Sequence, residues 1–235
     1  MIIHKLIAHH LVNKDDPAFY VLQARDSVEW LESNGIVIKK ELSVLDMGCG
    51  HGIFGAEFLK RGCKVTFSDE TNALDPSLSE VPYVRFNLDK DDYTSLSQYD
   101  IVLCSNVFEH LANPDGFISQ IDKLLKPGGK LYLTWTNWLS PWGGHEFSPF
   151  HYLGSRRGHL VYDRLTGKKR IHTPYVDLFP TYIGKTIRKI NSQKNLRVLK
   201  VVPRYYPEFS FLMRIPVLRE FLAWNCAILA EKAPG

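Results

Sequence analysis

The stretch Val44-Leu45-Asp46-Met47-Gly48-Cys49-Gly50-His51-Gly52 is an apolar run ending in alternating glycines, and it offers the clearest chemistry in the chain. Glycines placed this way let a ligand lie against bare backbone, and Asp46 gives the loop a polar anchor. A dinucleotide pyrophosphate site requires G-x-G-x-x-G. Counted from Gly48 and Gly50, the third glycine of that pattern falls at Ile53, so the loop reads D-x-G-x-G-x-G instead. Asp69 follows Gly50 by 19 residues, close to the ~20 at which an acid meets a ribose edge. A carboxylate only accepts hydrogen bonds and a ribose edge offers two donors, so Asp69 suits the part; Glu70 takes it if the register shifts by one. Farther along stand three residues able to accept a proton, His145, His151 and His110. Imidazole, with an unperturbed pKa near ~6.5, fits general-base work at neutral pH.

The elements that must hold these residues alternate between strand and helix. Lys64–Ser68 is rich in β-branched and aromatic residues, Tyr83–Asp89 and Tyr99–Cys104 read as further strands, and Leu131–Trp135 follows a Pro-Gly-Gly turn. Such alternation predicts an α/β fold, a doubly wound and mostly parallel sheet with right-handed crossovers. Its ligand crevice lies beyond the carboxyl ends of the strands, where the loop, Asp69 and Ser105-Asn106 all fall. Residues 17–34 read as an amphipathic helix with Asp16 at its N-cap, Pro17 at the first helical position and Asn34-Gly35 at its end. Residues 196–202 give a sixth strand stopped by Pro203, and Trp224–Ala230 a last one.

Taken together these motifs resemble the class I methyltransferases that use S-adenosylmethionine (SAM). D-x-G-x-G-x-G is similar to their first motif, and Ser105-Asn106-Val107-Phe108-Glu109-His110-Leu111 to the fourth motif of the ubiquinone-biosynthesis type. Leu124-Leu125-Lys126-Pro127-Gly128-Gly129-Lys130 is similar to the turn before their fifth strand. The resemblance implies SAM as cofactor. It implies that Asp46, Gly48, Cys49, Gly50 and Gly52 wrap its aminocarboxypropyl end, that Asp69 or Glu70 holds the ribose, and that Leu88 and Asp89 lie at the adenine. Ser105 and Asn106 would border both methionine and acceptor, with the leading helix and Tyr20 over the pocket. The segment Trp142-Gly143-Gly144-His145-Glu146 through His151-Tyr152-Leu153-Gly154 is similar to one in uncharacterised actinobacterial methyltransferases.

With 235 residues, 45% of them apolar and 23% charged, the chain suits one such domain. Its expected parts are a helical cover over 1–40, a SAM-binding core over 41–137, a substrate cap over 138–195 and C-terminal strands over 196–235. Cys49, Cys63, Cys104 and Cys226 form no C-x-x-C pair, and Met1–Leu11 is too short and too broken by charge for a signal peptide. A cytoplasmic protein with reduced thiols is the expectation, its oligomeric state left open. Residues 151–204 hold 13 Lys and Arg against two acids, Asp163 and Asp177. That excess is a solvated surface or the complement of an anionic acceptor.

The cap, Trp135–Gly154, sets Trp138, Trp142, Phe147, Phe150 and Tyr152 among Pro and Gly turns, with His145, Glu146 and His151 between them. Aromatic walls with a few polar groups make a small-ligand pocket or simply pack a loop onto the sheet. A zincin needs H-E-x-x-H on a helix. Here the second histidine comes six residues after the first, across Pro149, so no metal is assigned. Methyl transfer needs alignment above all, and a hydroxyl acceptor also needs a base. The expected activity is O-methylation of a small-molecule or glycan- or lipid-linked hydroxyl, with His145, His151 and His110 competing as base. A carbon or lipid methyltransferase is an alternative, because Phe108-Glu109-His110 looks like a run in cyclopropane synthases; so is a SAM-binding regulatory or scaffold protein without turnover. Nucleic acid is disfavoured because no N-P-P-Y type motif follows strand four. Residues 209–222, apolar but interrupted by Pro216, leave peripheral membrane contact as a minor alternative.

Overall fold

The computed structural model describes residues 2–13 and 16–234; Met1 and Gly235, the outer bounds of the expected cover and C-terminal segment, lie outside them. In chain order the elements are α1 (Ile3–Asn13), α2 (Pro17–Ser33), β1 (Ser43–Met47), α3 (Ile53–Leu59), β2 (Lys64–Asp69), β3 (Tyr83–Arg85) and β4 (Tyr99–Ser105). They continue with α4 (Pro114–Gln120), β5 (Leu125–Thr136), α5 (Gly158–Thr166), α6 (Ile183–Asn191), β6 (Leu196–Pro203), α7 (Pro216–Leu222) and β7 (Asn225–Lys232). Short 3-10 turns fill much of the cap.

The strands form a seven-stranded sheet of order β3-β2-β1-β4-β5-β7-β6. β1 to β5 pair in parallel, while β7 runs antiparallel to both β5 and β6. Two antiparallel pairings in succession restore the original direction, so β6 runs with β5. Its carboxyl end, and Arg204 just past it, therefore reach the ligand edge of the sheet.

Strand periodicity divides the core in two. Leu45, Met47, Val102, Cys104, Leu131, Leu133 and Trp135 face one side, where they pack with Phe117 of α4 and Ile183 and Ile190 of α6. Val44, Val65, Phe67, Ile101, Leu103 and Tyr132 face the other, against Val28 and Leu31 of α2 and Phe58 of α3. Burial on both faces explains why the central strands read as continuous apolar runs. Helix α6, which the sequence places within the cap, instead packs on α4 and β6 as part of the layer covering the sheet.

Local chemistry sets the boundaries. Asp16 caps α2 by accepting the Phe19 amide at 3.0 Å, with Pro17 at the first turn. β3 stops at Arg85, short of the expected Asp89, because side chains bend the backbone there. Asn87 donates its amide to Asp91 at 2.7 Å, and the Asn87 side chain accepts the Asp89 amide at 2.9 Å. Pro216 opens α7 rather than breaking a helix.

Candidate active site

β1 carries Asp46 into the loop at 2% exposure, where its Oδ2 accepts the Gly55 amide at 2.8 Å. Burial raises its pKa to about 7, against the Gly55 hydrogen bond and with a smaller push from Asp69. The three motif glycines all take left-handed backbone, with different surroundings. A Cβ on Gly48 would lie 2.5 Å from Val107 Cγ2 and one on Gly52 2.6 Å from Leu78 Cδ1, so packing demands glycine at both. A Cβ on Gly50 would meet nothing within 4 Å: this backbone faces open space. At its rim Asp69 accepts the Gly50 amide at 2.9 Å through Oδ2 and the Glu70 amide at 2.7 Å through Oδ1. Both oxygens are held and keep further lone pairs. Glu70 is exposed and accepts the Asn87 side-chain amide. The Cys49 thiol is pushed by burial up to about 12, which makes it a packing residue rather than a nucleophile.

Beyond β4 the chain turns at Asn106, itself in left-handed conformation (φ 56°). Its side chain joins a buried network with Gln23 of α2 (3.1 Å), Asn225 of β7 (3.2 Å) and Arg204 (3.0 Å). Arg204 is 3% exposed and also donates to Thr134 Oγ1 at 3.1 Å and Ser27 Oγ at 3.0 Å; Ser105 Oγ in turn lies 3.1 Å from Thr134 Oγ1. The guanidinium lies 5.2 Å over the ring of Phe54, the second residue of α3. Its Nε is buried without a partner, and among the described residues it forms no ion pair. A buried cation of this kind is costly unless an anion joins it.

The residues after Val107 build the other wall. Glu109 and His110 lie in a 3-10 turn after β4, and His145 comes from a 3-10 turn in the cap, at a φ of 49° rare for a side-chain-bearing residue. His110 and His145 ring centres are 5.5 Å apart, and a third ring, His172, stacks 5.2 Å from His110 and 4.8 Å from His145. His172 Nδ1 is 2.9 Å from Glu146 Oε2, while Glu146 Oε1 accepts the amides of Ile171 and His172. Burial pushes Glu146 up, but its hydrogen bonds from His172 more than offset this and leave it below its ordinary value. His145 is held down to about 3 by burial first and by the neighbouring imidazoles second, so it is neutral at physiological pH.

The comparisons with known proteins agree with this architecture. A family model described as a methyltransferase domain matches residues 22–201. An uncharacterised methyltransferase of Mycobacterium tuberculosis is 32% identical over 237 residues, covering 96% of this chain and 92% of its own. One from Mycobacterium leprae is 32% identical over 225 residues, covering 90% and 81%. Among solved structures, a SAM-dependent methyltransferase from Mesorhizobium loti superposes with a TM-score of 0.57 at 16% identity, over 89% of this chain and 100% of its own. Magnesium protoporphyrin IX methyltransferase from Synechocystis, with S-adenosylhomocysteine (SAH) bound, gives 0.57 at 15% identity, over 98% and 94%. The chain belongs to the class I SAM-dependent methyltransferases. SAM is its cofactor, and open backbone at Gly50 beside a tethered carboxylate is a cradle that fits it.

The methyltransferase fold brings most of the sequence-read residues to one edge, with two departures. Asp89 spends its carboxylate on the amides of Ala112 (3.0 Å) and Asn113 (2.8 Å), tying β3's loop to the start of α4, while Leu88 beside it is buried. His151, 1% exposed, sits against Trp138 and Tyr152 with Nε2 donating to the Ser140 carbonyl at 3.0 Å, apart from the three-ring cluster. Sequence reading passed over Arg204, His172 and Gln23. Among the basic residues of 151–204, Arg170, Lys185 and Arg197 pair with Asp163, Asp115 and Glu231, which leaves less of that charge for an acceptor.

Proposed function

We propose that this methyltransferase transfers a methyl group to a hydroxyl of a small or lipid-linked acceptor, with the His172–Glu146 pair as its base. The observation carrying this reading is that pair's place in a cluster with His110 and His145, one short turn past Val107, whose side chain lies against Gly48 of the cofactor loop.

When bound, SAM supplies an electrophilic methyl whose leaving group is a neutral thioether, so no acid is required. The loop backbone at Gly48, Cys49, Gly50 and Gly52 would line the cofactor, and Asp69, with Glu70 beside it, would accept the ribose hydroxyls. Leu88 would lie toward the adenine, with Asp89 fixing the loop beside it through the Ala112 and Asn113 amides, and Asp46 fixes the glycine loop by its bond to Gly55. Asn106 and Ser105 would close the methionine end. Arg204, buried and in ion-pair contact with no carboxylate among the described residues, would receive the methionine carboxylate there as a charge-assisted pair.

The acceptor lies under the cap, its hydroxyl among the three imidazoles. His172 Nδ1–H donates to the Glu146 carboxylate, which fixes the tautomer, frees Nε2 to take the hydroxyl proton and stabilises the imidazolium that forms. His145, first in the sequence-based order, orients instead: at about 3 its conjugate acid is too strong to hold a proton. His110 donates Nδ1–H to the Asp177 carbonyl at 2.6 Å and lines the same wall.

A lipid-linked acceptor is favoured by the exposed apolar side chains of Phe209, Phe211, Ile215, Val217, Leu218 and Phe221 on and before α7. Among the described residues no helix is long and apolar enough to cross a membrane.

The test is a panel of hydroxyl, amine and carbon acceptors read by SAH release and product mass, repeated with His172→Ala and Glu146→Gln. Methyl ethers as products, with turnover down about 10²–10⁴-fold in His172→Ala and SAH affinity intact, is the expected result. N- or C-methylated products, or full turnover in His172→Ala, would refute it.

A further inference from the structure

One buried carboxylate, in the turn after β4, takes no part in the methyl transfer proposed above. Glu109 is 1% exposed, and its Oε1 accepts the Thr136 amide at 2.8 Å, but Oε2 is buried with no hydrogen-bond partner. His145 Nε2 is buried and unpartnered as well. Two orphaned polar atoms in one wall, a carboxylate oxygen and an imidazole nitrogen that can present a lone pair, are costly in a protein interior. Glu109, His110 and His145 each offer one ligand atom, and these atoms lie within 4.8 Å of one another.

We infer that Glu109, His110 and His145 form a binding site for a divalent first-row transition cation, of which Zn2+ is the representative. The donor set is two imidazole nitrogens and one carboxylate oxygen. It contains no thiolate, and imidazole selects Zn, Fe, Ni or Cu over the all-oxygen preference of Mg and Ca. One carboxylate and two imidazoles suit a dication and leave a coordination position for solvent or another ligand.

The supporting shell is already in place. The Asp177 carbonyl can only accept, so His110 Nδ1 must carry the proton of that 2.6 Å bond, which leaves Nε2 with the free lone pair. A ring nitrogen locked by a backbone carbonyl is the usual way a ligating histidine is oriented. The Glu109 backbone is fixed too, its carbonyl accepting the Phe179 amide at 2.7 Å. In a tetrahedral site with bonds of ~2.1 Å, donors lie about 3.4 Å apart. Rotation of the Glu109 and His145 side chains brings the atoms together on binding. The sequence gives little sign of this trio: Glu109-His110 and His145 are separated by α4 and β5, and the H-E-F-S-P-F-H spacing directs attention to Glu146 and His151 instead.

The cation would share the pocket proposed for the acceptor, but its binding is read without turnover, so either reading can fail alone. Metal-stripped full-length protein is titrated with Zn2+ and, in parallel, with Co2+ followed by its visible ligand-field bands; SAH binding and thermal melting are recorded on each sample. One ion per chain is expected, with Zn2+ affinity down at least about 10–100-fold in Glu109→Gln and in His145→Ala, and unchanged in exposed His4→Ala. Glu109→Gln keeps an acceptor for the Thr136 amide, so its fold is preserved if His145→Ala proves unstable. Wild-type protein that binds SAH but neither metal overturns the inference, as does metal binding that survives both substitutions undiminished.

Discussion

Asp46→Asn separates the structural cost of the cofactor loop from its function. The Asp46 carboxyl ionises at about 7 in the folded chain, chiefly because it is buried, against about 3.9 when unfolded. A carboxyl raised in this way favours its protonated form in the folded state, so the stability is fully present below about 3.9 and is lost as pH rises to about 7. Each pH step in that window costs about 1.36 kcal/mol, and the two steps from pH ~5 to ~7 cost about 2.7 kcal/mol at most. Asparagine retains an oxygen for the Gly55 amide and removes the ionisation. The unfolding free energy of Asp46→Asn relative to wild type should therefore climb by about 2–3 kcal/mol between pH ~5 and ~8. Urea unfolding of both proteins without cofactor at the two pH values reads this directly. A difference that stays flat with pH would mean that Asp46 ionises normally in the folded protein, and one that moves the other way would refute the burial argument.

Arg204→Met should weaken SAH binding about 10–100-fold, the worth of a charge-assisted hydrogen bond, while the cofactor-free melting temperature falls because the hydrogen bonds to Asn106, Thr134 and Ser27 are lost together. Calorimetry paired with melting checks both, and unchanged affinity would remove Arg204 from the cofactor site. Vesicles containing anionic lipid should sediment the wild-type protein and release Phe211→Ser/Val217→Ser, both exposed positions; equal sedimentation of the two would exclude this face from a lipid-linked acceptor's delivery.

The parallel core was legible because its strands are buried on both faces, so Val44–Met47 and Tyr99–Ser105 read as apolar runs ending in glycine or polar turns. The structure's β3 is shorter than the sequence suggests because Phe86 and Leu88 continue the apolar alternation, and only the Asn87 and Asp91 side chains, bonding to backbone, bend the chain away. The glycine loop and its tie to Asp69 were legible because their geometry is set by local sequence: three glycines, and a carboxylate at the next strand's end. The wall proposed for the acceptor was not. His172 lies in a basic loop with no periodicity, and its pairing with Glu146 spans 26 residues. Arg204 counted as one of 13 scattered positive charges until β7, inserted antiparallel, turned the end of β6 toward the ligand edge. Glu109 resembled part of a motif, and its unpartnered oxygen exists only in three dimensions.

Titration of the purified chain with SAM and SAH by calorimetry, alongside Asp69→Ala, goes to the heart of the matter. Both ligands should bind wild type, and Asp69→Ala should bind about 10–100-fold more weakly, as expected for loss of hydrogen bonds to a charged acceptor. Wild-type protein that binds neither ligand would contradict the account.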